Sequence, residues 1–202
     1  VTYAAQNLME AERLGEPRNP ALARYIDYLL GHFDRLFVSG TYSIHQVFMD
    51  GLAAEALIDW YEMSGDPRIP ASIKVMLDWL WERGWHNNKL IYNPDPAGPR
   101  CENYCQAYTT ESINLIVPAF AWYWQLTGET VYQTRGDIWF EHALASDISY
   151  SGKIFSQNYR WSGDYVKRRF AGKYATGCEY ALQTPELSVG PEGGVVSVAV
   201  SS

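Results

Sequence analysis

The chain has 202 residues, a formal net charge of -7, and 47% hydrophobic and 15% aromatic residues. This length suits one medium domain, or one domain with part of another, and the apolar content supplies a packed core and excludes a disordered chain. The acidic balance argues against nucleic acid as a partner, and the most apolar stretch, Ile113 to Trp124, is shorter than the roughly 18–20 residues of a membrane span.

A short signature recurs along the chain and predicts helical hairpins. It reads Leu-Gly-Glu-Pro at 14–17, Met-Ser-Gly-Asp-Pro at 63–67 and Leu-Thr-Gly-Glu-Thr at 126–130. In each copy the Gly suits the left-handed end of one helix, and the acidic residue suits the first turn of the next. The glycines lie 50 and 63 positions apart, so each unit has room for two helices and a return loop.

The helices on the two sides of each signature differ in their apolar pattern. Those before it are apolar nearly all round, which predicts helices covered on most sides. Those after it carry one apolar stripe at helical spacing, which predicts helices with one face in water. The predicted inner helices are 2–14, 44–63 and 101–126, and the predicted outer helices are 18–38, 68–83 and 130–145.

Beyond residue 146 the helical period fades. The segment 149–177 is rich in Gly, Ser and aromatic residues, and we expect a long ordered loop with one helical turn near 164–170. From residue 187 the period changes to two, and the Gly-Gly pair at 193–194 suits a turn between two strands. The sequence therefore predicts a helical domain over 1–177 and, over 178–202, the first two strands of a truncated β-sandwich domain.

The alternation of covered and one-faced helices resembles the (α/α)6 toroid of six-hairpin glycosidases and polysaccharide lyases. The resemblance covers about residues 1–175, and three hairpins correspond to half a toroid, its C-terminal half. An open α-solenoid is the alternative, although its repeats are usually about 34–47 residues long. The predicted fold class is mainly α, built from helical hairpins of the α/α-toroid type, with a short C-terminal β-hairpin.

The string from Cys178 to Ser202 is similar to the opening of BACON-type bacterial β-sandwich domains. It carries a Cys-x-Tyr segment, a Gly-Gly turn and a Val-rich strand in that order. The resemblance implies a secreted or surface-attached bacterial protein, because such domains accompany extracellular carbohydrate-active proteins. We therefore expect part of a secreted glycoside hydrolase or polysaccharide lyase. The alternative is a non-catalytic extracellular scaffold or glycan-binding module.

The toroid resemblance implies a cleft where the inner helices begin, at 42–50 and 102–111. Glycoside hydrolysis needs two carboxyl groups, whereas lyase chemistry needs a Tyr or His base and a group that neutralises a uronate carboxylate. The candidate catalytic residues are Glu102, Asp50, Glu111 and His45. The candidate substrate-binding residues supply an amide and aromatic rings that can stack on sugars, and they are Trp85, Tyr92, Asn103, Tyr104, Tyr108 and Trp161.

Structural roles compete with each of these assignments. Glu102 near a helix start can simply stabilise the helix dipole, His45 can be a hydrogen-bonded structural residue, and Trp or Tyr side chains in return loops can cap helix ends. No phosphate loop, dinucleotide fingerprint or Cys-x-x-Cys occurs, so we expect no cofactor and no metal. A polysaccharide or glycan is the expected partner. Because half a toroid leaves its carboxylates on an open, solvated face, we expect the chain alone not to cleave polysaccharide.

Overall fold

The computed structural model describes residues 1–41, 45–94, 108–110, 112–145, 152–171, 181–182 and 200–201. This part of the chain is mainly helical, which confirms the prediction of a mainly α fold. Helices α2 and α4 each continue into a π-helical turn, at Asp34–Val38 and Leu80–Gly84. The helices are α1 (Thr2–Arg13), α2 (Ala21–Phe33), α3 (Val47–Ser64), α4 (Arg68–Trp79), α5 (Ile113–Thr127), α6 (Thr130–Leu144) and α7 (Gly152–Arg169).

Glycine ends two of these helices at the recurring signature, as the sequence predicts. Gly65 follows α3 and Gly128 follows α5, with φ values of 67° and 75° that place both in the left-handed region. Their amide groups donate to the carbonyl oxygens of Tyr61 and Trp124. This geometry satisfies carbonyl groups that the helix end would otherwise leave unpaired.

A small antiparallel sheet follows α4. It contains β1 (Trp85–His86), β2 (Lys89–Ile91) and β3 (Tyr108–Thr109), in the order β1-β2-β3. Two asparagines between β1 and β2 have positive φ values, 49° at Asn87 and 59° at Asn88. A two-residue hairpin turn requires this conformation at both positions, and Asn tolerates it better than most residues.

Helices α3, α5 and α7 run parallel to one another. Gly51 of α3 lies against Leu115 near the start of α5, and the Tyr61 ring lies 5.3 Å from the Trp122 ring further along both helices. In the same way Asn114 bonds to Asn158 of α7, and nearer the other end of both helices Gln125 donates to the carbonyl of Arg168. These pairings give one layer, against which α1 packs through α3.

Helices α2, α4 and α6 form a second layer. Phe37, just after α2, packs against Trp79 of α4 with ring centroids 5.5 Å apart. Asp78 of α4 accepts hydrogen bonds from Tyr132 and Arg135 of α6, at 2.9 and 2.8 Å. The largest fully buried side chains come from both layers and include Met9, Phe33, Phe120, Tyr132, Trp139 and Tyr165.

The predicted start of the third inner helix is wrong within the described residues. Helix α5 begins at Ile113, because Tyr108 and Thr109 pair with β2 instead of continuing a helix. The Thr109 hydroxyl oxygen then accepts a hydrogen bond from the amide of Ser112, which turns the chain into α5. Residues 101–107 and 111 lie outside the described part.

The predicted loop over 149–177 is also wrong across 152–169, where the chain forms α7. Asn158, Trp161 and Tyr165 are buried at helical spacing, and α7 packs along α5. The residues that suggested a loop, such as Ser162 and Gly163, lie between these positions and outside the buried stripe. A helix with a polar surface and one apolar stripe is stabilised by packing more than by propensity.

The chain divides into two compact units, Val1–Arg169 and Phe170–Ser202. In the second unit β4 (Ala181–Leu182) pairs antiparallel with β5 (Val200–Ser201), with Leu182 opposite Val200. The predicted strands on the two sides of the Gly-Gly turn at 193–194 lie outside the described residues, apart from Val200. The likeness to a β-sandwich opening stays a prediction. None of the helices that the structure describes is both long and apolar enough to cross a membrane.

Candidate functional site

Two of the predicted catalytic residues lie together, but inside the protein. His45 Nε2 and Asp50 Oδ2 are 2.5 Å apart where α3 begins, and both side chains are fully buried. The rings of Phe37 and Trp79 lie 5.5 and 5.2 Å from the imidazole. The Asn93 side chain donates to the His45 carbonyl oxygen at 2.7 Å. These contacts attach the segment before α3 to the return loop after β2.

Burial is the main influence on the charge state of this pair. Burial raises the pKa of Asp50, and the neighbouring His45 opposes that rise. Within the described part of the chain, His45 Nδ1 and Asp50 Oδ1 are buried without a hydrogen-bond partner. A polymeric substrate has no access to either group in this arrangement. The pair therefore serves here as an internal anchor of α3.

Two predicted sugar-binding aromatics pack against the core. Trp85 is half-buried in β1, and its ring lies 6.4 Å from that of Trp81 and 5.2 Å from that of Trp139. Tyr92 is half-buried and stacks on Phe48 at 6.1 Å. Each ring packs against a different set of aromatic side chains, so the structure does not bring the two together as a sugar platform.

The remaining predicted residues are more scattered. Tyr108 is exposed in β3, with the Lys89 ammonium 5.3 Å from its ring centroid. Trp161 is buried in α7, where it lines a cleft between that helix and α3. The other predicted positions, Glu102, Asn103, Tyr104 and Glu111, lie outside the described residues.

This cleft has charged walls, lies between α1, α3, α5 and α7, and has a volume of about 280 Å³. We call it the charged cleft. Its apolar lining includes Gly51, Leu115 and Trp161. Its charged lining residues are Glu10, Arg13, Glu55, Asp59, Arg160, Asp164 and Arg168.

Helix α3 contributes a pair of acidic residues to this cleft. Glu55 and Asp59 are four positions apart, so they lie one turn apart on one helix face with about 5–6 Å between their Cβ atoms. Helix α7 supplies the facing wall through Arg160 and Asp164. Glu55 of α3 pairs across the cleft with Arg160 of α7.

The two acidic side chains have different environments. Glu55 forms an ion pair with Arg160, and its Oε2 atom is buried with no hydrogen-bond partner among the described residues. Asp59 has a weaker contact, with its Oδ1 atom 3.8 Å from the Arg13 guanidinium. Burial raises the pKa of Asp59 to about 6, with Arg13 opposing and the carboxylates of Glu55 and Glu62 adding to the rise. Asp59 therefore exchanges a proton in weakly acidic solution.

Trp161 forms the apolar side of the charged cleft. The indole is 5% exposed and packs with Leu52 and Leu115. The Arg160 guanidinium lies 4.9 Å above its ring, while Arg160 itself is 58% exposed. The Trp161 Nε1 atom is buried and has no hydrogen-bond partner in the described structure. The Arg160 side chain therefore contacts both the indole and the Glu55 carboxylate.

Sequence reasoning missed most of the charged cleft. Its strongest local signal was the pair Glu55 and Asp59, spaced by one turn within a helix that is otherwise apolar nearly all round. Such a spacing puts two acids on one face of a covered helix, where charges are costly unless they are paired or used. The facing residues Arg160 and Asp164 could not be placed without α7.

Metal binding finds no support in the described residues, which hold no group of three or more His, Cys, Asp or Glu side chains arranged for an ion. Comparison of the chain with protein-family profiles, curated proteins and solved structures finds no significant match.

Proposed function

We propose that this chain is part of a secreted carbohydrate-active protein and that the charged cleft hydrolyses a glycosidic bond. The observation that carries the proposal is the pair of carboxyl groups, Glu55 and Asp59, on one wall of a concave cleft that also holds an indole ring. Two carboxyl groups in unlike environments are what glycoside hydrolysis requires. The saccharide class and the secretion rest on the resemblances of residues 1–175 and 178–202.

Asp59 is the proton donor in this proposal. A carboxyl group whose pKa lies near 6 is substantially protonated in weakly acidic solution and is a strong enough acid to protonate a leaving glycosidic oxygen. Its side chain is 25% exposed, so a substrate in the cleft can reach it. Once it has given up its proton, the same group can activate the water that completes hydrolysis.

Glu55 is the second carboxylate. Its spacing of one helical turn from Asp59 places the two Cβ atoms about 5–6 Å apart, so both carboxyl groups can reach the same glycosidic bond. In a retaining mechanism Glu55 attacks the anomeric carbon while the bond to the leaving oxygen breaks and Asp59 protonates that oxygen, which gives a covalent glycosyl intermediate. A sugar that reaches Glu55 has to displace the Arg160 side chain, which is 58% exposed but also lies over the Trp161 ring.

Hydrolysis fits the cleft better than lyase chemistry does. A lyase needs a Tyr or His base, and neither residue type lines the charged cleft in the described part of the chain. The expected inactivity of the chain assumed solvated carboxylates on an open face. Asp59 lies in a different environment, because α7 lines one wall of the charged cleft and burial raises the pKa of Asp59. We therefore propose activity for the chain itself.

A non-catalytic scaffold is the second candidate, and one observation favours it. The ion pairs Glu55–Arg160 and Glu62–Arg168 both join α3 to α7. In this alternative, Glu55 and Glu62 have a purely structural role and hold the two helices together. In that case their replacement changes the stability of the chain and no saccharide bond is cleaved.

The test is release of reducing ends from a panel of neutral and uronic-acid polysaccharides. We expect release by the wild-type chain, with a loss of about 100-fold or more in Asp59→Asn and Glu55→Gln, the range that a positioned proton donor contributes. Glu141→Gln is the control, because Glu141 is exposed on α6 and lies outside the cleft lining, and it should keep the activity. No release from any polysaccharide, or equal release by Asp59→Asn, contradicts the proposal.

A further inference from the structure

The Arg13 guanidinium lies between two carboxyl groups of the charged cleft. Its Nη1 atom donates a hydrogen bond to Glu10, three positions earlier on α1. Its Nη2 atom lies 3.8 Å from the Oδ1 atom of Asp59 on α3. All three residues line the cleft. One guanidinium therefore joins the last turn of α1 to the group that we propose as the proton donor.

The distance between Arg13 and Asp59 is longer than that of a hydrogen bond. Asp66 shows the effect of a direct contact in the same chain, because the Arg68 guanidinium donates to its two carboxylate oxygens at 3.0 and 2.7 Å. Those hydrogen bonds hold the pKa of Asp66 well below its ordinary value. At Asp59, burial raises the pKa to about 6, although Arg13 opposes that rise. The longer distance thus leaves Asp59 able to hold a proton.

Glu10 competes with Asp59 for the same cation. It binds one terminal nitrogen of the Arg13 guanidinium, while the other terminal nitrogen faces Asp59. The side chains of Glu10 and Arg13 are 60% and 38% exposed. Their contact can therefore break and form again without any change in the packed core.

Charged residues of α3 itself and of α7 also surround Asp59, whereas α5 contributes only uncharged residues to the described lining of the cleft. Two ion pairs between α3 and α7 hold four of these charged side chains. Among the cations, Arg13 has the strongest effect on Asp59. The charged residues of α3 and α7 are Glu55, Glu62, Arg160, Asp164 and Arg168.

We propose that Arg13 is a positioning residue for Asp59 and that Glu10 regulates it by sharing the guanidinium. While Glu10 holds one end of the guanidinium, Asp59 keeps a proton that it can give to a leaving oxygen. When that contact is lost, Arg13 can move onto Asp59 and stabilise its carboxylate, which makes Asp59 a poorer proton donor. The catalytic consequence rests on the hydrolysis proposed for the charged cleft, whereas the effect of Arg13 on Asp59 does not.

The test follows the Asp59 carboxyl carbon by NMR through a pH titration of the intact chain, with Asp59→Asn to assign its signal. Arg13→Gln removes the opposing cation, so the midpoint should rise by about 0.5–1 pH unit, a modest effect because Arg13 is 38% exposed. Glu10→Gln frees Arg13 for Asp59, so the midpoint should fall by a similar amount. Arg24→Gln, which removes an exposed cation of α2 outside the cleft lining, should leave the midpoint unchanged.

Activity gives a second measurement on a polysaccharide that the wild-type chain cleaves. The alkaline limb of the kcat/KM profile should move to higher pH in Arg13→Gln and to lower pH in Glu10→Gln, because it follows the ionisation of Asp59. Circular dichroism verifies that each variant keeps the fold. A purely structural role of Arg13 would lower stability without moving either the midpoint or the limb.

Three results overturn the proposal: an unchanged Asp59 midpoint in Arg13→Gln, shifts of the same sign in the two variants, or an alkaline limb that does not follow the midpoint. Opposite shifts of the midpoint support the role of Arg13. If they occur in a chain whose wild type cleaves no polysaccharide, they support that role and contradict the proposed hydrolysis alone.

Discussion

Gly51 in α3 lies so close to Leu115 in α5 that a Cβ atom at position 51 would stand 2.7 Å from the Leu115 carbonyl oxygen. Side chains do not tolerate such a distance to a backbone atom. The two helices therefore approach this closely only because residue 51 is Gly. Both residues line the charged cleft, so this contact fixes the distance between the acids of α3 and the helices that face them.

Replacement of Gly51 by Ala should destabilise the chain. Overpacking against a backbone costs about 1–3 kcal/mol, and the better helix propensity of Ala returns about 1 kcal/mol. Because a backbone cannot move aside as a side chain can, we expect a net loss of about 1–2 kcal/mol in the free energy of unfolding. Gly163→Ala in α7 is the control, since a Cβ there meets no atom within 4 Å, and it should stabilise the chain. Urea denaturation measures both, and equal stability of Gly51→Ala and wild type contradicts the close contact.

A substitution at Tyr165 tests the packing of α7, the helix that the sequence did not predict. Its hydroxyl group donates to Asp137 of α6 at 2.6 Å, and the ring is buried. Tyr165→Phe should lower the free energy of unfolding by about 1.5 kcal/mol, typical of a hydrogen bond to a charged group. Tyr159→Phe on the same helix is the matched control, because Tyr159 is 74% exposed. Similar losses in the two variants would show that the Tyr165 hydroxyl group makes no special contact.

The buried pair His45 and Asp50 should behave as one unit. Replacement of either residue by Leu leaves a buried polar partner without its hydrogen bond, and we expect losses of about 3–5 kcal/mol from each change. The double variant leaves no unpaired group. Its loss should therefore fall short of the sum of the single losses by at least about 1 kcal/mol. Thermal and urea denaturation of the wild type, the two single variants and the double variant measures this coupling. Strictly additive losses would rule out the direct contact.

Asp59 should make stability depend on pH. Its pKa in the folded chain is raised from the ordinary 3.8 to about 6, so the unfolded chain loses this proton at lower pH than the folded chain does. Below about pH 4 both states hold the proton and Asp59 has no effect. As the pH rises from about 4 to about 6, Asp59 ionises in the unfolded chain before it does so in the folded chain, and the free energy of unfolding falls. Above about pH 6 this loss of stability is complete.

Asp59→Asn removes this ionisation. The stability of the variant relative to wild type should therefore increase between about pH 4 and about pH 6 and then level off. Urea midpoints measured across this range verify the trend. The control is Asp164→Asn, which also removes a carboxyl group from the cleft lining. A stability difference between Asp59→Asn and wild type that does not change with pH would contradict the raised pKa.

Local chemistry explains what the sequence predicts correctly. The left-handed ends at Gly65 and Gly128 depend only on a few neighbouring residues, and the apolar periodicity of α2 to α6 depends on positions one or two turns apart. The predicted helix pairs follow from these two signals. Neither signal requires knowledge of distant parts of the chain.

The features that sequence reasoning missed depend on distant contacts. Helix α7 is stabilised by the packing of Trp161 and Tyr165 against α5. Its many polar residues make this short apolar stripe difficult to recognise in the sequence. Asp59 owes its raised pKa to burial in a cleft that α7 also lines, from more than ninety positions away. Trp85 is an aromatic residue of the type that can stack on sugars, which is why the sequence predicts it as a binding residue. Its packing against Trp81 and Trp139 becomes visible only in the structure.

The most direct test of hydrolysis in the charged cleft compares two leaving groups in wild type and Asp59→Asn. A natural oligosaccharide that the wild-type chain cleaves needs a proton on its leaving oxygen, whereas a dinitrophenyl glycoside of the same sugar has a leaving group acidic enough to depart without one. If Asp59 is the proton donor, the variant should lose at least about 100-fold in kcat/KM on the oligosaccharide and little in the first, glycosylating step on the dinitrophenyl glycoside. Equal losses on both substrates, or no loss on the oligosaccharide, would contradict the assignment of Asp59 as the catalytic acid.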